Sequence, residues 1–261
     1  MIKVLTLFWV ILSLAIPMLA NAQECLLLRA GGTISWQPIA YFNQETQKPE
    51  GIGYDLTKVV GQRLKIPVEI NAKIPWKRLL KFVKDGDMDL ISAIYRTPQR
   101  DKHYHFSIPY FVNEARVFVK KGAEFPFAKL SDLIARRGVI PLGGSFGEDF
   151  DSFVVKHPLT METLATKQQL VTAILQGLSD YFIQDYRDGM TYLKQQGLEN
   201  KIVALNHPVS VTPVHLAVSR QSSCAALLPE INQIIKLIKV DGTFEKIIDK
   251  YRNKDETAVK H

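Results

Sequence analysis

Hydrophobic and polar positions along the chain change period several times, and these changes predict alternating strands and helices. Apolar runs of strand length occupy 25–29, 67–71, 90–94 and 115–120. Between them, apolar residues at helical spacing predict helices over 55–64 and 76–83, and Gly86 follows the second as a helix stop. Strands and helices that alternate in this way form a mainly parallel sheet covered by helices, so the pattern predicts an α/β fold.

A second set of elements of the same kind follows in the other half of the chain. Strands are predicted at 138–142, 181–183, 202–205 and 214–218, and helices at 148–155, 167–176, 227–238 and 243–251. The last strand and the last two helices are expected to return to the first set, because they complete its βαβ pattern. The sequence therefore predicts two units, one of which is built from both halves of the chain.

We assign the first predicted lobe to residues 23–119 and 208–261, and the second lobe to residues 120–207. The chain crosses between the lobes near 120–122 and near 207–213, where Gly or Pro interrupts the apolar pattern. Two crossings of this kind can act as a hinge that closes the lobes around a ligand.

One arginine lies where such a ligand is expected. The apolar run at 90–94 is typical of a buried parallel strand, and Thr97 and Pro98 after it are typical of a helix cap and a first helical position. Arg100 then lies beyond the carboxyl end of the strand, where ligands bind in open α/β sheets, and its planar fork can hold a carboxylate. The alternative is a surface arginine paired with Asp101.

The N-terminal 22 residues have the pattern of a secretory signal peptide. Lys3 precedes an apolar run over 4–19, and Ala20-Asn21-Ala22 fits a small-x-small cleavage site. The alternative is an uncleaved membrane anchor, but the run is short for a membrane span. We therefore expect a periplasmic product. The net charge of +7 is dispersed along the chain, which together with export argues against nucleic-acid binding.

Few other residues suggest chemistry. Cys25 and Cys224 are the only cysteines, and an even count in an exported chain favours a disulfide, with two unpaired thiols as the alternative. His103 and His105 alternate, but no carboxylate or cysteine set accompanies them. We therefore expect no metal, no cofactor and no catalytic residue.

Several motifs occur in an order that resembles a known family. A Gly-x-x-Asp series ending at Asp89, a Thr-x-x-Arg series ending at Arg100 and Phe-Ser-x-Pro-Tyr ending at Tyr110 follow the helix over 76–83. Their order resembles family 3 of the periplasmic solute-binding proteins, the amino-acid-binding class, and the resemblance extends over nearly the whole mature chain. It implies a two-lobed, type II periplasmic-binding-protein fold with a ligand cleft between the lobes. Asp89 and Arg100 are eleven positions apart, one fewer than well-studied members suggest.

The resemblance implies roles for two charged residues. Arg100 matches the arginine that holds a ligand's α-carboxylate, and Asp185 matches the aspartate that holds its α-ammonium group. The two would clamp an amino acid from opposite lobes. For Asp185 the alternative is a cap on the helix that follows it.

The same resemblance places a second anion-binding element in the second lobe. Ser145 lies in a glycine-flanked turn before a predicted helix, whose free N–H groups can meet an anion. The alternative is an ordinary glycine turn with a serine cap. Phe146 replaces a small polar residue common in the family, so we expect a narrower or more apolar pocket.

Aromatic and small residues complete the expected site. Trp36 and Trp76 match aromatic positions that sandwich a ligand side chain, with core packing as the alternative for each. Ala93 and Tyr95 fall where the family presents small Ser or Gly residues. The missing hydroxyl and the bulky ring predict altered side-chain recognition, although backbone groups can still bind a carboxylate. Core packing is the alternative for Ala93.

The resemblance implies a monomeric binding protein that captures an amino acid or similar small zwitterion by cleft closure, for uptake through an ABC permease. One alternative is an enzyme similar to periplasmic cyclohexadienyl dehydratases, with Glu148 or Asp149 as proton donors. Another is a ligand sensor that presents its closed lobes to a membrane receptor. For Glu148 and Asp149 the alternative to a catalytic role is a favourable interaction with the helix dipole.

Overall fold

The structure is a computed structural model that describes residues 24–157 and 159–257, so the predicted signal peptide lies outside the described residues. The strands are β1 Leu28–Gly31, β2 Ser35–Trp36, β3 Ala40–Asn43, β4 Lys48–Glu50, β5 Val68–Asn71, β6 Leu90–Tyr95, β7 Tyr104–Phe106, β8 Phe111–Lys120, β9 Gly138–Pro141, β10 Met161–Leu164, β11 Tyr181–Asp185 and β12 Ile202–Ser219. The helices are α1 Ile52–Leu64, α2 Trp76–Asp85, α3 Pro98–Asp101, α4 Glu148–Lys156, α5 Lys167–Leu175, α6 Tyr186–Gln195, α7 Leu228–Val240 and α8 Thr243–Thr257. Among the helices of the described residues, none combines the length and the apolar character needed to span a membrane.

Two long antiparallel strands, β8 and β12, connect the two halves of the main sheet. The strand order is β10-β9-β11-β8-β12-β6-β1-β5, and β7 adds to β12. Parallel pairs lie on both sides: β1 with β5 and β6, and β9 with β10 and β11. A separate small sheet has the order β2-β3-β4. The carboxyl ends of β6 and β11, which carry predicted site residues, therefore come from the two different halves.

Buried apolar side chains form separate groups in the two halves. One side is built by residues such as Tyr54, Leu216 and Ile235, which come from both early and late parts of the chain. The other side contains Phe150 and Tyr181, from the middle of the chain. Such separate cores are expected of two lobes that can move relative to each other. The lobe boundaries given above stay a prediction.

One predicted interruption is wrong. The sequence indicates separate strands at 202–205 and 214–218, whereas β12 runs through both. Pro208 is accommodated because the pairing of β12 with β8 shifts register on each side of it. Proline lacks an N–H donor and is tolerated at such irregular positions of a sheet.

The predicted disulfide is confirmed. Cys25 and Cys224 are bonded, with their Cα atoms 4.8 Å apart. The bond joins the segment before β1 to a 3-10 helix, Ser223–Leu227. Near it, Asp89 accepts hydrogen bonds from the Arg29 side chain and from the Ser222 hydroxyl. The aspartate of the Gly-x-x-Asp motif thus joins β1, β6 and the start of that 3-10 helix, and its role in this structure is structural.

Candidate functional site

Arg100 is positioned by local chain geometry, as the sequence predicts. β6 is buried along its whole length and α3 starts directly after Thr97, whose hydroxyl oxygen accepts a hydrogen bond from the Arg100 backbone N–H at 3.3 Å. Pro98 takes the first helical position, where its missing N–H costs nothing. The guanidinium is therefore held at the carboxyl end of β6.

The Arg100 guanidinium has no carboxylate within ion-pair distance among the described residues. Its Nη1 donates to the backbone oxygen of Tyr95 at 2.8 Å, and its Cζ lies 5.8 Å from the centre of the Trp76 ring. Asp101, the alternative partner, pairs instead with Arg96. Burial lowers the pKa of Arg100, and the negative charge of Asp151 acts in the opposite direction. Arginine's usual pKa is so high that the group stays a cation at neutral pH.

Ser145 contacts Asp151, a residue that the sequence does not single out. The Ser145 hydroxyl donates to Asp151 Oδ2 at 2.5 Å, and the Phe146 backbone N–H donates to Asp151 Oδ1 at 3.3 Å. Gly147 is the N-cap of α4 and has no side chain, so Ser145 is not the cap residue itself. The turn before α4 is thus organised around Asp151, and this carboxylate already accepts a hydrogen bond from the Ser145 hydroxyl.

Tyr95, Asp185 and Asn113 form a buried network across the cleft. The Tyr95 hydroxyl donates to Asp185 Oδ1 at 2.6 Å and accepts from Asn113 Nδ2 at 2.7 Å. Asp185 is 8% exposed, and its burial raises its pKa to about 7, although the Tyr95 hydrogen bond opposes this change. Asp185 stands at the N-cap of α6 but makes no side-chain capping bond. The side chain therefore faces Tyr95 rather than the helix that it precedes.

The largely buried ion pair of Asp188 and Lys167 lies within the half that contains β11, and it makes a second contact with the other half through backbone groups of Ser35 and Gln37. Asp188 Oδ1 accepts from the Gln37 backbone N–H at 2.8 Å and from Lys167 Nζ at 2.5 Å, and Oδ2 accepts from Gln184 Nε2. Lys167 also donates to the backbone oxygen of Ser35. Burial raises the pKa of Asp188, and the Lys167 charge opposes the shift. Sequence reasoning misses this contact because Asp188 resembles an ordinary first-turn acid of α6.

The two predicted tryptophans lie against the charged and polar groups of the cleft. Trp36 packs edge-on against Tyr95, with ring centres 5.1 Å apart and planes at 79°. Its buried Nε1 has no hydrogen-bond acceptor in the described part of the chain. Trp76 is half-buried beneath the Arg100 guanidinium. Core packing explains the position of the Trp36 ring. Its buried N–H, which has no acceptor among the described residues, is still available as a hydrogen-bond donor.

Two other predicted site residues belong to the lobe cores through their side chains. Ala93 is fully buried, and a Cβ atom on Gly53 of α1 would lie 3.2 Å from its own Cβ. Phe146 packs perpendicular to Phe150, with ring centres 5.6 Å apart. Both side chains are thus packed in the lobe cores, and the ligand-binding roles expected of Ala93 and Phe146 stay predictions.

The structure thus brings five predicted residues into contiguous contact and adds four that sequence analysis does not predict. The contiguous predicted residues are Trp36, Trp76, Tyr95, Arg100 and Asp185. The added residues are Asn113, Asp151, Lys167 and Asp188. A surface cavity of about 550 Å³ lies elsewhere, between β9, β10 and α5, and contains none of them.

Comparison with known proteins identifies the class. The profile of the bacterial extracellular solute-binding proteins, family 3, matches residues 28–254, and the chain belongs to this family. It is similar to the probable amino-acid-binding protein YxeM of Bacillus subtilis strain 168, with 24% identity over 246 residues that cover 92% of this chain and 89% of that protein. The predicted family membership is thereby confirmed.

Solved structures confirm the predicted two-lobed, type II periplasmic-binding-protein fold. A histidine kinase sensor domain with similarity to periplasmic binding proteins matches with a TM-score of 0.76 and 20% identity, covering 86% of this chain and 95% of that chain. An ancestral arginine-binding protein bound to arginine matches with a TM-score of 0.73 and 24% identity, covering 87% and 98%. The Tyr95–Asp185 and Gln37–Asp188 contacts thus join the two halves of this fold.

Proposed function

We propose that this protein captures an amino acid or a similar small zwitterion between its lobes in the periplasm and delivers it to a membrane permease of the ABC type. The observation that carries this proposal is Arg100. Its guanidinium is half-buried at the cleft and lacks an ion-pair partner among the described residues, so a ligand carboxylate would supply the missing charge.

The remaining parts of a zwitterion have candidate contacts nearby. The acidic group across the cleft is Asp185, which can receive an ammonium group in competition with Tyr95. Trp36 and Trp76 offer aromatic surface to a ligand side chain, and the unpaired Trp36 N–H offers a donor. A micromolar affinity needs about −8 kcal/mol, which one charge-assisted cluster and aromatic contact can supply after ordering costs.

Capture by closure is supported by the contacts that cross the cleft. Tyr95 reaches Asp185, and Gln37 reaches Asp188, so each lobe provides groups that are paired only when the lobes approach. We propose that the lobes are residues 23–119 with 208–261, and residues 120–207, and that β8 and β12 carry the crossings. A ligand stabilises the closed form to the extent that it binds this form more tightly.

We infer that the protein is a binding protein rather than an enzyme, in line with relatives that are named as binding proteins. Glu148 and Asp149, the conceivable proton donors, are both exposed in the first turn of α4, where acids interact favourably with the helix dipole. Incubation with prephenate or arogenate tests this point. Product formation would contradict it.

Titration calorimetry with the twenty L-amino acids tests the proposed ligand class. Arg100→Ala should weaken binding of any amino acid that binds the wild type by at least about 100-fold, because a buried carboxylate contact is lost. Arg96→Ala is the matched control: it removes the same charge from the same loop, where Arg96 pairs with Asp101, and should change affinity less than about threefold. Undiminished binding by Arg100→Ala would reject the role of Arg100.

The choice of membrane partner needs a separate experiment. Pull-down of membrane proteins by the ligand-loaded protein should recover an ABC permease. Recovery of a receptor kinase in its place would favour sensing over transport.

A further inference from the structure

The Tyr95 side chain is hydrogen-bonded to Asp185, the carboxylate that the family resemblance assigns to a ligand's ammonium group. Its hydroxyl donates to Asp185 at 2.6 Å and is itself held by the Asn113 amide, and all three residues are buried. An ammonium group of a ligand would need the same Asp185 oxygen. The acceptor that would recognise the ammonium group therefore already has a donor from the protein.

Tyr95 is also fixed by contacts at its ring and at its backbone. The ring packs edge-on against Trp36, and the backbone oxygen accepts from Arg100 Nη1. Moving the phenol away from Asp185 would break a buried hydrogen bond and disturb the Trp36 contact. A ligand ammonium group that displaces Tyr95 thus gains a contact only by breaking an existing one, and buried hydroxyls without a partner are costly.

The binding partners for the carboxylate and for the ammonium group of a ligand consequently differ in whether the protein already occupies them. Arg100 has no competing carboxylate within ion-pair distance among the described residues, so a ligand carboxylate binds without displacing one. For Asp185 the reverse holds. Its Oδ1 already accepts a hydrogen bond from the Tyr95 hydroxyl, so a ligand ammonium group has to displace this donor to reach it.

We propose that Tyr95 is a specificity-determining residue that makes the cleft select small carboxylates by their carboxylate and side chain, so that 2-hydroxy acids bind nearly as well as the corresponding amino acids. This inference rests on the proposed function, since it assumes that Arg100 holds the carboxylate. It widens the ligand class from amino acids to their counterparts without an ammonium group.

The test compares matched ligand pairs by titration calorimetry. The probes are L-alanine with L-lactate, L-phenylalanine with L-phenyllactate, and L-aspartate with L-malate, which differ only at the 2-position. For the wild type, the two dissociation constants of a bound pair should agree within about threefold. A fully used ammonium–carboxylate contact would instead separate them by about 10- to 100-fold.

Tyr95→Phe removes the competing hydroxyl and leaves the ring. In this variant the affinity for the amino acid of a pair should rise at least about tenfold relative to the affinity for its 2-hydroxy acid. Tyr104→Phe is the matched control, because Tyr104 is also buried in the first lobe but donates to the Leu80 backbone oxygen instead. Tyr104→Phe should leave the ratio of the two dissociation constants of a pair unchanged.

Each result decides a different point. A wild-type preference of tenfold or more for amino acids overturns the inference and leaves the proposed function standing. An unchanged ratio of dissociation constants in folded Tyr95→Phe overturns the role of Tyr95. If Tyr95→Phe does not fold, the wild-type ratio still decides. Failure of both ligand classes to bind overturns the proposed function, and the inference with it.

Discussion

Two contacts join the lobes of this protein, and they are built from different chemistry. At the first, the neutral side chains of Tyr95 and Asn113 meet Asp185 close to Arg100. At the second, the Lys167–Asp188 ion pair of one lobe meets backbone groups of the other: the Gln37 N–H donates to Asp188, and Lys167 donates to the Ser35 oxygen. A ligand group at the first contact has to displace a donor of the protein, whereas the ion pair at the second contact lies within one lobe and stays formed when the lobes separate. The comparison teaches that recognition and closure need not depend on the same residues.

The largest expected effect comes from breaking the charged contact. Asp188→Ala leaves Lys167, whose side chain is 17% exposed, without its carboxylate, and should lower the free energy of unfolding by about 3–5 kcal/mol. Urea unfolding monitored by circular dichroism measures this loss. Asp180→Ala, which removes an exposed partner of Arg137 in the same lobe, should stay close to wild type. Equal losses in Asp188→Ala and Asp180→Ala would show that the Lys167–Asp188 ion pair stabilises the protein no more than an exposed ion pair does.

A somewhat smaller effect concerns the dependence of stability on pH at the neutral contact. Burial raises the pKa of Asp185 from its ordinary value of 3.8 to about 7, so the folded protein keeps this proton at pH values where the unfolded chain has lost it. Between about pH 4 and pH 7 the folded state therefore binds more protons, and raising the pH lowers the free energy of unfolding. The contribution of this one group reaches at most about 4 kcal/mol.

The contribution of Asp185 is isolated by comparing the wild type with Asp185→Asn in urea unfolding at several pH values. The stability of the wild type relative to the variant should fall as the pH rises from about 4 to about 7 and level off above. A difference that is constant over this range would mean that Asp185 is charged throughout. Asp185 would then be a charged carboxylate in the folded protein, as in an ionic contact.

The smallest expected effect is the cost of removing one neutral donor. Tyr95→Phe should lower the free energy of unfolding by about 2 kcal/mol, because the hydrogen bonds of the hydroxyl with Asp185 and Asn113 are both lost while the ring contact with Trp36 is kept. Thermal and urea unfolding measure the change. A loss as large as that of Asp188→Ala would show that the two contacts contribute alike to the stability of the folded protein.

Local signals in the sequence predict the α2–β6–α3 segment that carries Arg100. The helical period of α2, Gly86 in a left-handed conformation at its end, the buried run of β6 and the Thr97–Pro98 start of α3 all act within a few residues. For such features each residue's preference agrees with its final structure. The site position of Arg100 therefore follows from the sequence.

Contacts between distant residues are what the sequence does not predict. The bulk of Tyr95 indicates altered recognition, but its hydrogen-bond partner lies 90 positions away along the chain. Nothing local distinguishes Asp188 from an exposed first-turn acid, because its burial arises when the 35–37 segment covers it. The short strand β4, Lys48–Glu50, is also missed, since a Lys-Pro-Glu sequence carries no hydrophobic alternation. These features depend on tertiary packing.

The disulfide between Cys25 and Cys224 determines how the molecule would respond to cutting. Its two cysteines are 199 positions apart, and the strands from β1 to β12 all lie between them in the chain. A single proteolytic cut anywhere between them leaves two polypeptides that are still one covalent molecule. A nicked protein would therefore migrate as a single species in a denaturing gel without reductant and divide into fragments only when reductant is added.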